Sequence, residues 1–286
     1  MHAPLAIVAV AVSVLTALLV PPVVRRRRRH AALAQPLPGA LVAAVDRNVA
    51  VRARLPAQLR RRHEGLINAF LAEKQFVGCN GLVVTDEIRA TIAAQACLLV
   101  LGRPGGYYDE LLSILVYPSA FWVEDEVHDD DGVVTRRRRV LSGEAWDSRR
   151  IILSWEDIAG PDRSPDDGFN LVLHEFAHYL EAEGHGLPPS SPLPPERKRS
   201  RAAWARGIDD WAGDMAEEFN RLLDAVDRGE ETFLDPYATE DEAEFFAVAT
   251  EEFYERPVEL LARHPRLYSR LQEFYGLDPA AWFTSS

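Results

Sequence analysis

Two histidines four residues apart, with a glutamate directly after the first, are the residues of this chain whose types and spacing most clearly suggest chemistry. They are His174, Glu175 and His178. On a helix, residues four apart lie on the same face, so both imidazoles can face one metal ion. Zinc suits such a pair, because a catalytic zinc site has three protein ligands and one open position for water. The pattern predicts a zinc site of a hydrolase, with Glu175 as its general base.

The third ligand is not a nearby histidine. In the extended form of this motif, a glycine and a histidine stand three and six residues after the second histidine. Here those positions hold Glu181 and Gly184, and His185 comes one place late. The motif's other common third ligand is a glutamate on a downstream helix.

Several downstream glutamates fit that description. Glu244 is favoured, because it stands at the edge of a strongly apolar helix, where a carboxylate needs a partner. Thr239 and Glu242 have the spacing of a capping box at the start of that helix. The other candidates remain open; they are Glu196 in a proline-rich loop, and Glu217 and Glu218 on a mixed polar helix.

The elements that must position these residues can be predicted from periodicity. The motif helix is expected over 168–183, with Asp166 or Asp167 as its N-cap and Gly184 after its end. Further predicted helices cover 41–71, 91–101, 207–227 and 240–255, and predicted strands cover 111–117 and 149–155, with a charged hairpin over 121–140 between them. The fold class is therefore α+β, predominantly helical, with one domain over 41–286.

Composition narrows the class of protein. Apolar residues make up 47% of the chain and charged residues 27%, as in a folded globular protein. A net charge of −12 argues against direct nucleic-acid binding. The two cysteines, Cys79 and Cys97, do not make a disulfide framework and stand in apolar surroundings, so both are interpreted as buried hydrophobic residues.

The N-terminus predicts a membrane anchor. Residues 3–24 carry no charge and are mostly Ala, Val, Leu and Ile, which matches the roughly 20 residues of a transmembrane helix. Arg25–Arg29 follow directly, and no Lys or Arg precedes the span. The positive-inside rule then places the catalytic domain in the cytoplasm, as a single-pass membrane protein with a basic juxtamembrane linker over 25–40. A cleaved signal peptide is the alternative, with Ala32-Leu33-Ala34 as its cleavage site, but five arginines then stand between the apolar stretch and that site.

Several ordered segments together resemble the Mlc titration factor A family of zinc-dependent peptidases. The segments, which span roughly residues 55–280, are Tyr117–Phe121, Leu141–Trp146, Ile152–Trp155, Gly168–Leu171 leading into His174–His178, Asp235–Ala238, Ala243–Val248, Phe274-Tyr275 and Asp278-Pro279. The resemblance implies a fold similar to a gluzincin-type metallopeptidase domain. It also implies that Glu244 binds zinc together with His174 and His178.

The resemblance further implies aminopeptidase activity on small peptides, and binding of a transcriptional regulator in the cytoplasm. The chain departs from the family pattern at three places. Leu180-Glu181 stands where Leu-Asp is usual, Thr135 stands where some members have a histidine, and the apolar N-terminal span is not part of the soluble members' pattern.

The sequence is therefore compatible with two functions. In a zinc peptidase, the metal would activate a water molecule, Glu175 would accept its proton, and Tyr237, seven residues before Glu244, is a candidate to stabilise the oxyanion. Tyr237 could equally be a packing residue of a Pro-Tyr turn. The alternative function is a membrane-tethered zinc protein that binds a transcriptional regulator with little or no proteolysis. The presence of Glu175 favours the peptidase, because a structural zinc site needs no general base.

Overall fold

Helices make up most of the chain for which a computed structural model describes the structure, namely residues 24–103, 107–119, 121–128, 134–141, 143–147, 149–159, 168–183 and 201–283. The helices are α1 (24–33), α2 (Gly39–Asn48), α3 (Val51–Arg54), α4 (Ala57–Glu73), α5 (Asp86–Leu99), α6 (Trp155–Ala159), α7 (Leu171–Glu183), α8 (Arg201–Asp227), α9 (Glu242–Glu255), α10 (Pro257–Arg263), α11 (Pro265–Tyr275) and α12 (Ala280–Phe283). The strands are β1 (Gln75–Gly78), β2 (Ser113–Tyr117), β3 (Phe121–His128), β4 (Val134–Leu141), β5 (Gly143–Asp147) and β6 (Arg150–Ser154).

Four of the strands form one small mixed sheet. Its order is β1-β2-β6-β5, with β1, β2 and β6 parallel and β5 antiparallel to β6 at the edge. In β2, Ile114 and Val116 are buried and alternate with half-buried residues, as expected for a strand with one face on the core. β3 and β4 form a separate antiparallel pair.

Helix α7 lies at the centre of the packing that matters for the site. It packs against α5 and α9 and also contacts β5 and β6. α5 is apolar on nearly all sides, and its residues from Ala90 to Leu99 are buried. A helix that is apolar all round is stable only when it is surrounded by other elements. Residues 171–177 of α7 are buried as well, so the motif helix lies in the interior rather than on the surface.

The predicted fold class is confirmed, and so is most of the element pattern. The strands over 111–117 and 149–155 correspond to β2 and β6, and the hairpin over 121–140 corresponds to β3 and β4. β1 and β5 were not predicted. Among the described residues, no helix has both the length and the apolar character that crossing a membrane requires. The predicted transmembrane segment 3–24 lies, except for Val24, outside the described residues.

The first described helix is attached to the domain through two arginines. Arg29 forms a two-pronged ion pair with Glu73 at the end of α4, with both N–O distances 2.7 Å, and also bonds Asp109 at 2.5 Å. Its guanidinium lies 4.5 Å from the ring centroid of Tyr107. Arg25, one turn earlier, also bonds Glu73. Residues 25–33, which belong to the stretch predicted to be a linker over 25–40, are therefore helical and contact the domain.

His63 on α4 is buried in uncharged form against α5. Its Nε2 lies 2.7 Å from the carbonyl oxygen of Ala94 and donates to it. Burial lowers the pKa of His63 to about 4, although the bond to Ala94 works in the opposite direction. In the unfolded chain a histidine has a pKa of about 6.5. Between these two values the unfolded chain binds more protons, so the folded state loses stability as the pH falls through this range.

Replacing His63 with leucine should therefore reduce the acid sensitivity of the fold. Between about pH 7 and about pH 4.5, the free energy of unfolding of the wild type should fall on the order of 2 kcal/mol more than that of His63→Leu. Urea unfolding at both pH values measures this difference. His30→Leu is the matched control, because His30 is exposed and should leave the pH dependence of the wild type unchanged. An identical pH dependence for the wild type and His63→Leu would contradict the prediction.

Candidate metal centre

Asn170 fixes the start of the motif helix. Its side-chain oxygen accepts a hydrogen bond from the backbone N–H of Leu173 at 3.2 Å, which caps α7. Its side-chain amide donates to Glu255 on α9 at 2.7 Å. The predicted caps, Asp166 and Asp167, lie outside the described residues, and the helix begins later than predicted, at Leu171. The cap thus joins the N-terminus of α7 to the C-terminal end of α9.

The two motif histidines face the same point, as their spacing predicted. The Nε2 atoms of His174 and His178 lie 3.1 Å apart, and their rings are close to perpendicular, with an interplanar angle of 79°. His174 is buried, whereas His178 is partly exposed. Two ring nitrogens this close can share one metal ion.

The third atom of the cluster comes from α9. Asp241 caps this helix, accepting hydrogen bonds from the backbone N–H groups of Ala243 and Glu244 at 2.8 and 2.9 Å, so the predicted Thr239–Glu242 capping box is wrong. The Thr239 hydroxyl instead donates to the carbonyl of Pro236. With this start, Glu244 points its Oε2 towards the histidines, at 3.0 Å from Nε2 of His174 and 3.4 Å from Nε2 of His178.

The separations of these three atoms are those expected around a bound metal ion. Bonds of about 2.0–2.1 Å to a tetrahedral zinc place the ligand atoms about 3.3 Å apart, close to the observed separations of 3.0, 3.1 and 3.4 Å. Oε2 of Glu244 is buried, yet no described residue gives it a well-directed hydrogen bond. A buried carboxylate oxygen without a donor is costly unless a cation satisfies it. His174, His178 and Glu244 are also the metal-capable cluster among the described residues.

The charges around the cluster favour a ligating carboxylate. Burial alone would raise the pKa of Glu244, but the two facing histidines lower it well below its usual range. Burial would likewise lower the pKa of His174, yet Glu244 and Glu251 raise it to about 10. Since a histidine must be neutral to bind a metal, metal binding at this site displaces a proton.

Glu251 contacts the ring nitrogen of His174 that does not face the cluster, and it was not predicted from the sequence. Its Oε1 lies 2.8 Å from Nδ1 of His174, and the same carboxylate accepts the backbone N–H of Asn170. Metal-binding histidines usually donate a hydrogen bond from the N–H of their second ring nitrogen to a carboxylate in this way, which fixes the ring orientation. Glu251 is 2% exposed. It stands two turns after Glu244 on the same face of α9, and a buried acid in an apolar helix was the available signal.

Replacing Glu251 with glutamine should weaken metal binding by about 10- to 100-fold. The amide would present an N–H group to the backbone N–H of Asn170, or leave His174 without its acceptor, so the imidazole would lose its fixed orientation. Competition titration with a zinc chelator measures the affinity, and circular dichroism checks the fold. Glu242→Gln is the control, because Glu242 is exposed on the first turn of the same helix and should bind zinc like the wild type. Equal zinc affinity in Glu251→Gln and the wild type would show that Glu251 does not position His174.

Glu175 lies beside the cluster in the interior. It is 5% exposed, and burial raises its pKa to about 7, while His174 and His178 act in the opposite direction. A general base that works at neutral pH needs a pKa in this range. The position and the pKa of Glu175 both agree with the role predicted for it.

Tyr237 also lies at the cluster. It stands on a short 3-10 helix, Pro236–Thr239, whose start is capped by Asp235. Its ring centroid is 6.2 Å from that of His174, and about half of the residue is exposed. Burial and the negative charge of Glu244 raise the pKa of its hydroxyl. The hydroxyl therefore stays protonated and can donate a hydrogen bond.

The other glutamates considered from the sequence are not part of the cluster. Glu218 pairs with His264 and Arg221, at 3.1 and 2.7 Å, and Glu217 pairs with Arg221 and Arg266, both at 2.8 Å. Glu196 lies outside the described residues. Of the glutamates that the structure describes, Glu244 is therefore the third ligand candidate that lies at the cluster.

A family comparison agrees with this geometry. The model of the glucose-regulated metallo-peptidase M90 family matches residues 23–276. The chain belongs to this family. Membership implies a metal, and the His174, His178 and Glu244 cluster is where the described structure can hold one.

Individual relatives cover most of the chain. An uncharacterized protein of Synechocystis is 39% identical over 246 residues, which is 86% of each protein. Mlc titration factor A of Klebsiella pneumoniae is 35% identical over 81% of this chain and 84% of its own. Mlc titration factor A of Pectobacterium atrosepticum is 37% identical over 76% of this chain and 78% of its own. The predicted resemblance to the Mlc titration factor A family is confirmed.

Proposed function

We propose that this protein is a zinc-dependent peptidase, with His174, His178 and Glu244 as metal ligands and Glu175 as general base. The main support is the convergence of three ligand atoms beside a buried glutamate with a raised pKa. A structural zinc site is normally closed by four protein ligands, whereas the cluster among the described residues has three. A three-ligand site leaves room for the water that hydrolysis needs.

Each residue of the site has a separate role in the proposed hydrolysis. When bound, zinc supplies an activated water and polarises the scissile carbonyl. Glu175 accepts a proton from the attacking water and returns it to the leaving amine nitrogen. Tyr237 donates a hydrogen bond from its hydroxyl to the oxygen on which negative charge develops. Glu251 holds the imidazole of His174 in place during both proton transfers.

A peptide substrate would bind along β5. This strand is at the edge of the described sheet, antiparallel to β6, and it packs against α7. An extended peptide can add to such an edge through its backbone hydrogen bonds. That arrangement would bring the peptide past the helix that carries Glu175.

Hydrolysis by the purified protein tests the proposal. The protein loaded with zinc should cleave members of a mixed peptide library, and a chelator should abolish cleavage until zinc is restored. Aminoacyl anilides and their N-acetylated counterparts test the aminopeptidase specificity that the resemblance implies, since an aminopeptidase cleaves only the free-amine forms. Full zinc occupancy without cleavage of any peptide would refute the peptidase.

Binding of a transcriptional regulator is the second candidate function. Its support is the name of the relatives, Mlc titration factor A, together with the identity over most of the chain. A regulator related to Mlc should then co-purify with the protein, and Glu175→Gln should bind it as well as the wild type does. Failure of the purified pair to associate would exclude this function.

We also propose that residues 3–24 anchor the protein in the membrane with the catalytic domain in the cytoplasm. The support is the uncharged, apolar span of 22 residues directly before five arginines. The full chain should remain in the membrane fraction after alkaline washing. Release into the soluble fraction would contradict the anchor.

A further inference from the structure

Glu181 stands on the same face of α7 as the two motif histidines. At 3.6 residues per turn, positions 174, 178 and 181 fall within about 60° of one another around the helix axis. Glu181 lies about 4.5 Å further along the axis than His178, and helical side chains lean towards the N-terminus of their helix. The side chain of Glu181 is therefore directed along α7 towards the metal cluster, although it is not one of the three ligands.

The carboxylate of Glu181 lies among other acids rather than beside a cation of the described chain. The residue is half-buried, and it forms no hydrogen bond or ion pair with another described residue. The charged groups that act on it most are the imidazole of His178 and the carboxylates of Asp241, Glu242 and Glu244. Burial raises the pKa of Glu181, as do these three carboxylates, whereas His178 lowers it. A cation placed beside Glu181 would therefore stabilise its charged form.

A second unpaired carboxylate indicates that this site takes a ligand with hydrogen-bond donors. Glu175 is 5% exposed, and it forms no hydrogen bond with another described residue. Buried polar groups are nearly always paired, because an unpaired one costs free energy. Glu175 stands six residues before Glu181, which is about 9 Å along the helix axis. The attacking water proposed for Glu175 therefore leaves Glu181 in need of a donor of its own.

The N-terminal residue of a peptide carries a suitable donor at a matching distance. Its α-nitrogen and its carbonyl carbon are about 2.5 Å apart, because a single Cα joins them. With that carbonyl at the metal site, the ammonium group stays within reach of a carboxylate one helical turn from His178. An ammonium group has three N–H donors and a positive charge, and its hydrogen bonds to a carboxylate are stronger than those between neutral groups. An acetylated amine at the same place would bring no charge.

We propose that Glu181 binds the α-ammonium group of a peptide substrate, which directs the site to N-terminal residues. The inference rests on the proposed peptidase site and adds which end of the substrate is recognised. Binding is measured by calorimetry on the full-length, zinc-loaded Glu175→Gln protein, which should hold a peptide without cleaving it. Trialanine should bind at least about tenfold more tightly than N-acetyl-trialanine, because the acetyl group removes a charge-assisted hydrogen bond.

Two further variants connect this preference to Glu181. Adding Glu181→Gln keeps the size of the side chain, removes its charge and should reduce the preference to less than about threefold. Adding Glu242→Gln is the matched control, because it removes an exposed charge from the same surroundings and should keep the preference. N-acetyl-lysyl-alanyl-alanine carries its ammonium group on a side chain and should bind no better than N-acetyl-trialanine.

The proposal is overturned if neither alanine peptide binds, if Glu181→Gln keeps the preference, if Glu242→Gln loses it equally, or if the lysyl peptide binds as tightly as trialanine. A hydrolysis assay on the protein with Glu175 intact gives an independent measurement. There, Glu181→Gln should lower kcat/KM for alanine p-nitroanilide at least about tenfold, mainly through KM, with unchanged zinc content. Amine-dependent binding without any hydrolysis would refute the peptidase and leave this inference standing. Equal cleavage of free and acetylated peptides would keep the peptidase and overturn the inference.

Discussion

Replacing Glu175 with glutamine should lower peptide hydrolysis by at least about 100-fold while leaving the zinc content unchanged, since general-base catalysis contributes about 10²–10⁴ to a rate. Glutamine keeps the size and the hydrogen-bonding shape of the side chain but cannot accept a proton. Glu175 contributes none of the three atoms of the metal cluster, so its replacement should leave the ligands in place. The change therefore separates catalysis from metal binding.

The measurement pairs steady-state hydrolysis with zinc analysis of the same sample. Glu156→Gln removes an exposed carboxylate on α6 and should keep the activity of the wild type. A fully zinc-loaded Glu175→Gln with activity close to that of the wild type would remove Glu175 from the mechanism. Loss of zinc together with activity would instead show that Glu175 helps to hold the metal.

Replacing Glu244 with glutamine should weaken zinc binding on the order of 100- to 1,000-fold, if each ligand carries about a quarter of the binding free energy of a four-ligand site. The neutral amide can no longer balance the charge of the ion between His174 and His178. Zinc that binds only the folded state raises the unfolding temperature. This rise should be present in the wild type and absent in Glu244→Gln at the same zinc concentration.

Glu217→Gln is the informative control for this prediction. The sequence left Glu217 open as a third metal ligand. In the structure it forms surface ion pairs with Arg221 and Arg266. It should bind zinc like the wild type, because exposed ion pairs contribute little. Stoichiometric zinc with unchanged affinity in Glu244→Gln would show that the metal binds elsewhere.

The parts of the site that follow from local geometry could be predicted from the sequence. The spacing of His174 and His178 is enough to place two imidazoles on one helix face, and Glu175 follows from the same helix. Glu244 stands 66 residues after His178, and only the packing of α9 against α7 brings it there. Pattern alone could favour it, but could not exclude Glu217 and Glu218.

The supporting residues were harder to predict for a related reason. Asn170 caps α7 and binds α9 at once, and the second role depends on a contact across 85 residues of sequence. Thr239 and Asp241, two positions apart, are both residue types that cap helices, and the local pattern did not show that Asp241 is the one that caps α9. Strands β1 and β5 were missed because QFVG and GEAWD lack the continuous β-branched and apolar run that marks β2 (SILVY) and β6 (RIILS), which have similar lengths.

The attachment of α1 bears on how a soluble form of the protein should be prepared. A shortened chain starting at residue 41, the predicted domain boundary, would lack Arg25 and Arg29. The carboxylate of Glu73, only 8% exposed, would then lose both partners while lying next to the buried Lys74. Because the truncation also removes the helix that covers Glu73, its carboxylate becomes exposed, and the lost ion pairs cost about 0–1 kcal/mol each. Truncated proteins for crystallisation or enzyme assays should therefore begin at residue 24, which removes nearly all of the apolar segment and keeps Arg25 and Arg29.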